Sequence, residues 1–160
     1  TEIYTLSLHD ALPILRYALL ALLVALAWAR PTGAEETVIG SLRQVKEPAF
    51  ILHEGQSLPA QPRQQIRLND TLRTGPGGAM GAILRDDSVL SLGPNSELSL
   101  DEFAFAPVED KLSLVGRLTR GTAAFLTGKI GQMRPEAVRV ETPGGIIGVR
   151  GTQFLVQVGE

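Results

Sequence analysis

From Thr37 onward the apolar residues of this chain recur at a period of two, and Gly or Pro interrupts them every several residues. That alternation puts successive side chains on opposite faces of an extended strand, whereas a helix needs a period of 3.6. The chain is therefore constrained to a series of short strands, each with one face available to a core. Val38 to Val45 reads as a first strand, with a second piece around Phe50-Ile51-Leu52. The segment from Gln56 to Arg67 is polar and carries Pro59 and Pro62, so it is predicted to be a surface loop leading into Leu68-Asn69-Asp70-Thr71-Leu72.

Leu-Ser-Leu occurs at Leu90–Leu92, Leu98–Leu100 and Leu112–Leu114, each time offering two leucines to one face and a small hydroxyl to the other. These read as successive strands of one sheet. Asp86-Asp87-Ser88 and Gly93-Pro94-Asn95-Ser96 supply the residues that tolerate positive φ or bond their own backbone, and so specify the turns between them. Phe103, Phe105 and Phe125, with Phe50 and Phe154 at the two ends, are expected to fill the core between two β-layers. Leu126 to Met133 is the one candidate helix, and Gly128 and Gly131 argue against it. The expected fold is all-β, a rolled or solenoid-like stack of short, mostly antiparallel strands in a single domain.

Little in the sequence supplies chemistry. With 160 residues, 44% apolar, the chain can bury one core, and a net charge of −2 provides no basic field for phosphate backbones, so nucleic acid is excluded as a partner. Cysteine is absent, which removes disulfides, a thiol nucleophile and thiolate metal sites together. His53-Glu54 is the sole histidine–carboxylate neighbour pair after residue 37; adjacent strand residues face opposite ways, so the pair reads as a solvated loop edge. No metal cluster and no cofactor are expected. Gly75-Pro76-Gly77-Gly78 and Gly144 to Thr152 fit neither a dinucleotide fingerprint nor a phosphate loop, and Gly75, Gly93 and Gly148 are expected to serve backbone geometry instead. A carboxylate pair is the hardest enzyme reading to dismiss, yet Asp86 and Asp87 fall in a turn, and Glu97 and Asp101 alternate with leucines on a solvated face.

The N-terminal region has a different character. Residues 1–15 resemble the translated read-through of a sequencing adapter, the competing reading being a genuine presequence. Residues 16–34 read as a signal peptide: Arg16, an apolar run from Tyr17 to Ala29, and small residues suited to cleavage after Ala29 or Ala34. An uncleaved membrane anchor is the alternative, although the run is short of the roughly 20 residues a span needs. Residues 35–160 then form the β domain. Its C-terminus is expected to be truncated, because Glu160 follows directly on a strand-like run.

Three blocks of the sequence resemble the FecR domain family. The first runs from Asp70-Thr71-Leu72-Arg73-Thr74-Gly75 through Ala82 to Leu98, the second is Arg120 to Phe125, and the third is Val140-Glu141-Thr142-Pro143-Gly144-Gly145-Ile146-Ile147-Gly148-Val149-Arg150-Gly151-Thr152-Gln153-Phe154. The resemblance implies an all-β periplasmic domain of bacteria, best known in sensors that pass an outer-membrane receptor's state to a sigma factor. It also implies motif residues without a catalytic role: Asp70, Arg73, Thr74, Gly75, Gly93, Asn95, Thr142, Pro143, Gly148, Arg150, Gly151, Thr152 and Phe154. Arg150, between Val149 and Gly151 and two positions beyond Gly148, reads either as a structural clamp on a carboxylate or carbonyl or as a surface contact. The expected function is a non-catalytic, exported signal-relay or protein-interaction module at the cell envelope. The alternatives are a glycan or surface-ligand binder, and a membrane-anchored sigma-factor regulator lacking its cytoplasmic part.

Overall fold

Twelve strands account for most of the computed structural model, which describes residues 37–149 and 151–159. The adapter-like segment, the segment read as a signal peptide with its expected cleavage sites, and Arg150 lie outside the described residues. In chain order the strands are β1 (Val38–Lys46), β2 (Ala49–His53), β3 (Gln56–Pro59), β4 (Gln65–Arg67), β5 (Thr71–Thr74), β6 (Ala79–Leu84), β7 (Val89–Leu92), β8 (Glu97–Ala106), β9 (Lys111–Leu126), β10 (Val138–Thr142), β11 (Gly145–Gly148) and β12 (Gln153–Val158). They form one curled sheet in the order β3-β2-β5-β8-β9-β7-β6-β1-β4, with β10 and β12 on β9 and β11 beyond β10. This is the all-β fold in its rolled form, and the strands belong to one compact unit.

The 16-residue β9 organises the sheet. Its first part pairs with β8 on one edge and, in parallel, with β10 on the other, and its last part pairs with β7 and β12. Gly121, at φ 81°, stands where β9 changes partners. Side chains alternate as the period-two pattern requires: Met80, Ala82 and Leu84 of β6, Leu90 and Leu92 of β7, and Leu98 and Leu100 of β8 are all buried. Each Leu-Ser-Leu thus buries its leucines and turns its serine outward. The triplets do not face one another: Leu90–Leu92 lies opposite Ala123–Phe125, Leu98–Leu100 opposite Gly116–Leu118, and Leu112–Leu114 opposite Phe103–Phe105. Phe103 and Phe125 are buried, and Phe154 stacks on Phe125 with ring centroids 4.9 Å apart.

Two sequence expectations are corrected here. The polar segment Gln56 to Arg67 is not all loop, because it contains β3 and β4. Glu54 (φ 47°) and Gly55 (φ 80°) make a two-residue hairpin turn that folds β3 back on β2, where its exposed edge tolerates Pro59. Ile66 carries β4 into the core opposite Gly40. The glycines also do not abolish the helix: α1 (Lys129–Met133) forms with Gly128 at its entry and Gly131 inside it, packed against Thr127.

Candidate functional site

The first block, Asp70 to Gly75, divides across the sheet. Leu72 and Thr74 point inward, Thr71 and Arg73 outward, and Asp70, just before the strand, is 1% exposed. Asp70 Oδ2 accepts the Arg67 backbone N–H at 2.7 Å, which closes the turn from β4 into β5, and Oδ1 lies 2.5 Å from His53 Nδ1. His53 is therefore not a solvated edge. The hairpin at Glu54 leaves it at the end of β2, within reach of a carboxylate 17 positions away that sequence adjacency could not reveal.

Thr74 ties the next turn. Its Oγ1 donates to the Gly93 carbonyl at 2.6 Å and accepts the Ser96 N–H at 2.9 Å, holding both ends of Gly93–Ser96. Asn95 takes the left-handed conformation at φ 52°, and its N–H donates to the Gly75 carbonyl at 3.1 Å. Gly75 packs so closely that a Cβ there would sit 2.7 Å from Pro48 Cγ, while Gly93 meets Thr122 at an ordinary 3.5 Å.

The turn expected at Asp86-Asp87-Ser88 exists, with Asp87 at φ 66°, and Asp86 within it is fully buried. Its carboxylate accepts the Ser88 hydroxyl at 2.7 Å and the Ser88 N–H at 3.2 Å, and Ser88 Oγ in turn accepts the Gly128 N–H at 2.8 Å. The Asp-x-Ser spacing was the available signal, since an aspartate commonly bonds the backbone two residues on. Beside it, Lys129 Nζ lies 2.8 Å from Asp87, whose hydrogen bond and charge hold the ammonium above its usual pKa.

The last block, Thr142 to Phe154, makes the β10–β11 hairpin and enters β12. Thr142 Oγ1 donates to the Gly145 carbonyl at 2.9 Å across the turn through Pro143 and Gly144. Thr127 Oγ1 donates to the Gly151 carbonyl at 3.0 Å, and its N–H donates to the Thr152 carbonyl at 2.8 Å, anchoring the start of β12. Gly148 corrects a glycine expectation, because its φ lies outside the left-handed region and nothing stands within 4 Å of a Cβ built there. Gly148→Ala is accordingly expected to shift the urea unfolding midpoint by no more than about 0.5 kcal/mol in stability.

The outer surface falls into two parts along β9. Over its first part, Arg73 Nε lies 3.0 Å and Arg120 3.1 Å from Glu97, and Arg117 lies 3.0 Å from Asp101 and 2.9 Å from Glu141. Over its last part the outward positions run Ser41–Ile83–Val89–Leu126–Gln153 and Gln44–Gly81–Ser91–Ala124–Leu155, rows without a charge. Lys46, at the border on β1, helps to line a groove over Gly81 and Ser91. Among the described residues no three His, Asp or Glu side chains gather as a metal site.

The six buried polar side chains among the described residues, Asp70, Thr74, Asp86, Ser88, Ser96 and Thr127, all bond to backbone groups of the domain itself. Such a molecule is, in class, a β-scaffold whose motif residues support its own turns. The chain belongs to the FecR family: the family model described as FecR protein matches residues 70–160. That family is regulatory and non-enzymatic, and it acts in signal transduction. No curated protein and no solved structure gives a significant match.

Proposed function

We propose that the domain is an exported interaction module that relays a signal at the cell envelope and carries out no catalysis. The observation that supports this most is the use of the motif itself. Asp70, Thr74, Asp86 and Ser88 are committed to turns, so what they leave for recognition is the pair of outer surfaces they position. A relay needs such surfaces and no activated nucleophile. The segment from Arg16 to Ala34 would take the chain across the inner membrane.

The test has two arms. N-terminal sequencing of the periplasmic protein should begin after Ala29 or Ala34, and a photo-crosslinker placed at Ser99, on the charged surface, should capture an envelope protein. Retention of the intact N-terminus in the inner membrane, or no adduct, would overturn the reading.

The ion-paired carboxylates provide a separate check on catalysis. Glu97 and Asp101 are partly exposed and face arginines, so replacing either by alanine should lower stability by about 1 kcal/mol or less. Purified peptidoglycan should stay uncleaved by the parent and both variants. Turnover that disappears with Glu97→Ala would restore the enzyme reading.

A further inference from the structure

The described sheet ends in four edge strands, β3, β4, β11 and β12, and three of them carry features that discourage pairing. β3 ends in Pro59, β4 has three residues with Arg67 among them, and β11 has glycine at both ends. β12 has none of these. It is six residues long, Gln153-Phe154-Leu155-Val156-Gln157-Val158, free of Gly, Pro and charge, and among the described residues it pairs with β9 alone. A long, uncharged edge presents a row of backbone donors and acceptors to another strand, and sheet proteins that do not use such an edge blunt it. Leu155, 65% exposed on the outer side of β12, adds apolar surface to the uncharged rows behind it.

We propose that β12 pairs antiparallel with β12 of a second copy of this chain, about a twofold axis through Leu155. In an antiparallel pair, opposed residues share a face, so the outward residues of one copy must meet the outward residues of the other. Every register centred on a residue does this, and of these the one through Leu155 sets like opposite like along Gln153-Phe154-Leu155-Val156-Gln157. Leu155 then faces Leu155 of the second copy, Gln153 faces Gln157, and Phe154 faces Val156 on the inner side.

Each opposition is matched, apolar to apolar or amide to amide, and no like charges meet. A twofold interface requires this self-complementarity. This match of the strand with itself favours a second copy over an unrelated strand.

The chain contains no cysteine, which makes the register directly testable. In the purified full chain, Leu155→Cys should form an intermolecular disulfide under mild oxidation, because directly opposed strand residues lie within disulfide reach. Gln157→Cys alone should not, while Gln153→Cys mixed with Gln157→Cys should.

In sedimentation experiments Gln153→Lys with Gln157→Lys opposes like charges twice and should weaken the dimer about tenfold or more. Gln153→Lys with Gln157→Glu should preserve the dimer, and it serves as the control for folding. A parent chain that stays monomeric across the concentration series overturns the proposal. So does equal cross-linking of Leu155→Cys and Gln157→Cys.

Discussion

Gly121→Ala is expected to cost the domain about 3–5 kcal/mol, a large share of the 5–15 kcal/mol typical of a domain. Two effects combine at this position. Gly121 has φ 81°, where a side chain meets its own backbone. A Cβ there would also lie 2.3 Å from Ser96 Oγ and 2.5 Å from Ser96 Cα, inside any real contact distance. The neighbour cannot yield cheaply, because Ser96 is buried, its Oγ accepts the Thr122 N–H at 2.8 Å, and its N–H is held by Thr74. Moving Ser96 therefore pulls the Gly93–Ser96 turn away from β9, at the point where β9 passes from β8 to β7. The check is urea unfolding beside Gly148→Ala. Equal midpoints for the two variants would show that β9 can absorb the change.

The contrast between those two glycines shows what could be read in advance. The strand pattern was legible because it is local: alternation at β6, β7 and β8 depends on neighbours two positions away, and the turns at Asp87 and Asn95 depend on residues that accept positive φ. Glycine function is a different matter. Gly128 is required because a Cβ would stand 2.1 Å from the Asp86 carbonyl, a neighbour more than forty positions away, and no spacing rule reports that approach. Gly148 sits inside the family motif and yet meets nothing.

The distant partners of the buried polar residues were illegible for the same reason, since His53 lies 17 positions from Asp70, and Gly128 lies 40 from Asp86's partner Ser88. The two outer surfaces were half legible, because Arg117 and Arg120 are visibly separated from Ala124 and Leu126 along β9. Which strands lie beside them depends on pairings across the whole chain.

Asp86→Ala is the second large effect, expected at about 2–4 kcal/mol. The buried carboxylate gathers three donors: the Ser88 hydroxyl at 2.7 Å, the Ser88 N–H at 3.2 Å and, more distantly, the Ile130 N–H at 3.4 Å. Truncation leaves those groups without partners in a site closed to water, and that costs more than the bonds themselves contribute. Ser88→Ala should cost less, since it mainly strands the Gly128 N–H. Because both changes disrupt one network joining the β6–β7 turn to α1, their effects should not add. The double variant should be less destabilised than the sum of the singles, by about 1–3 kcal/mol. Asp86→Asn keeps an acceptor for Ser88 but turns an amide toward neighbouring donors, so it should fall between the parent and Asp86→Ala. A double-mutant cycle by urea unfolding measures all of this at once. Additive costs would mean that Asp86 and Ser88 act independently, and the turn would then not be fastened to α1 through them.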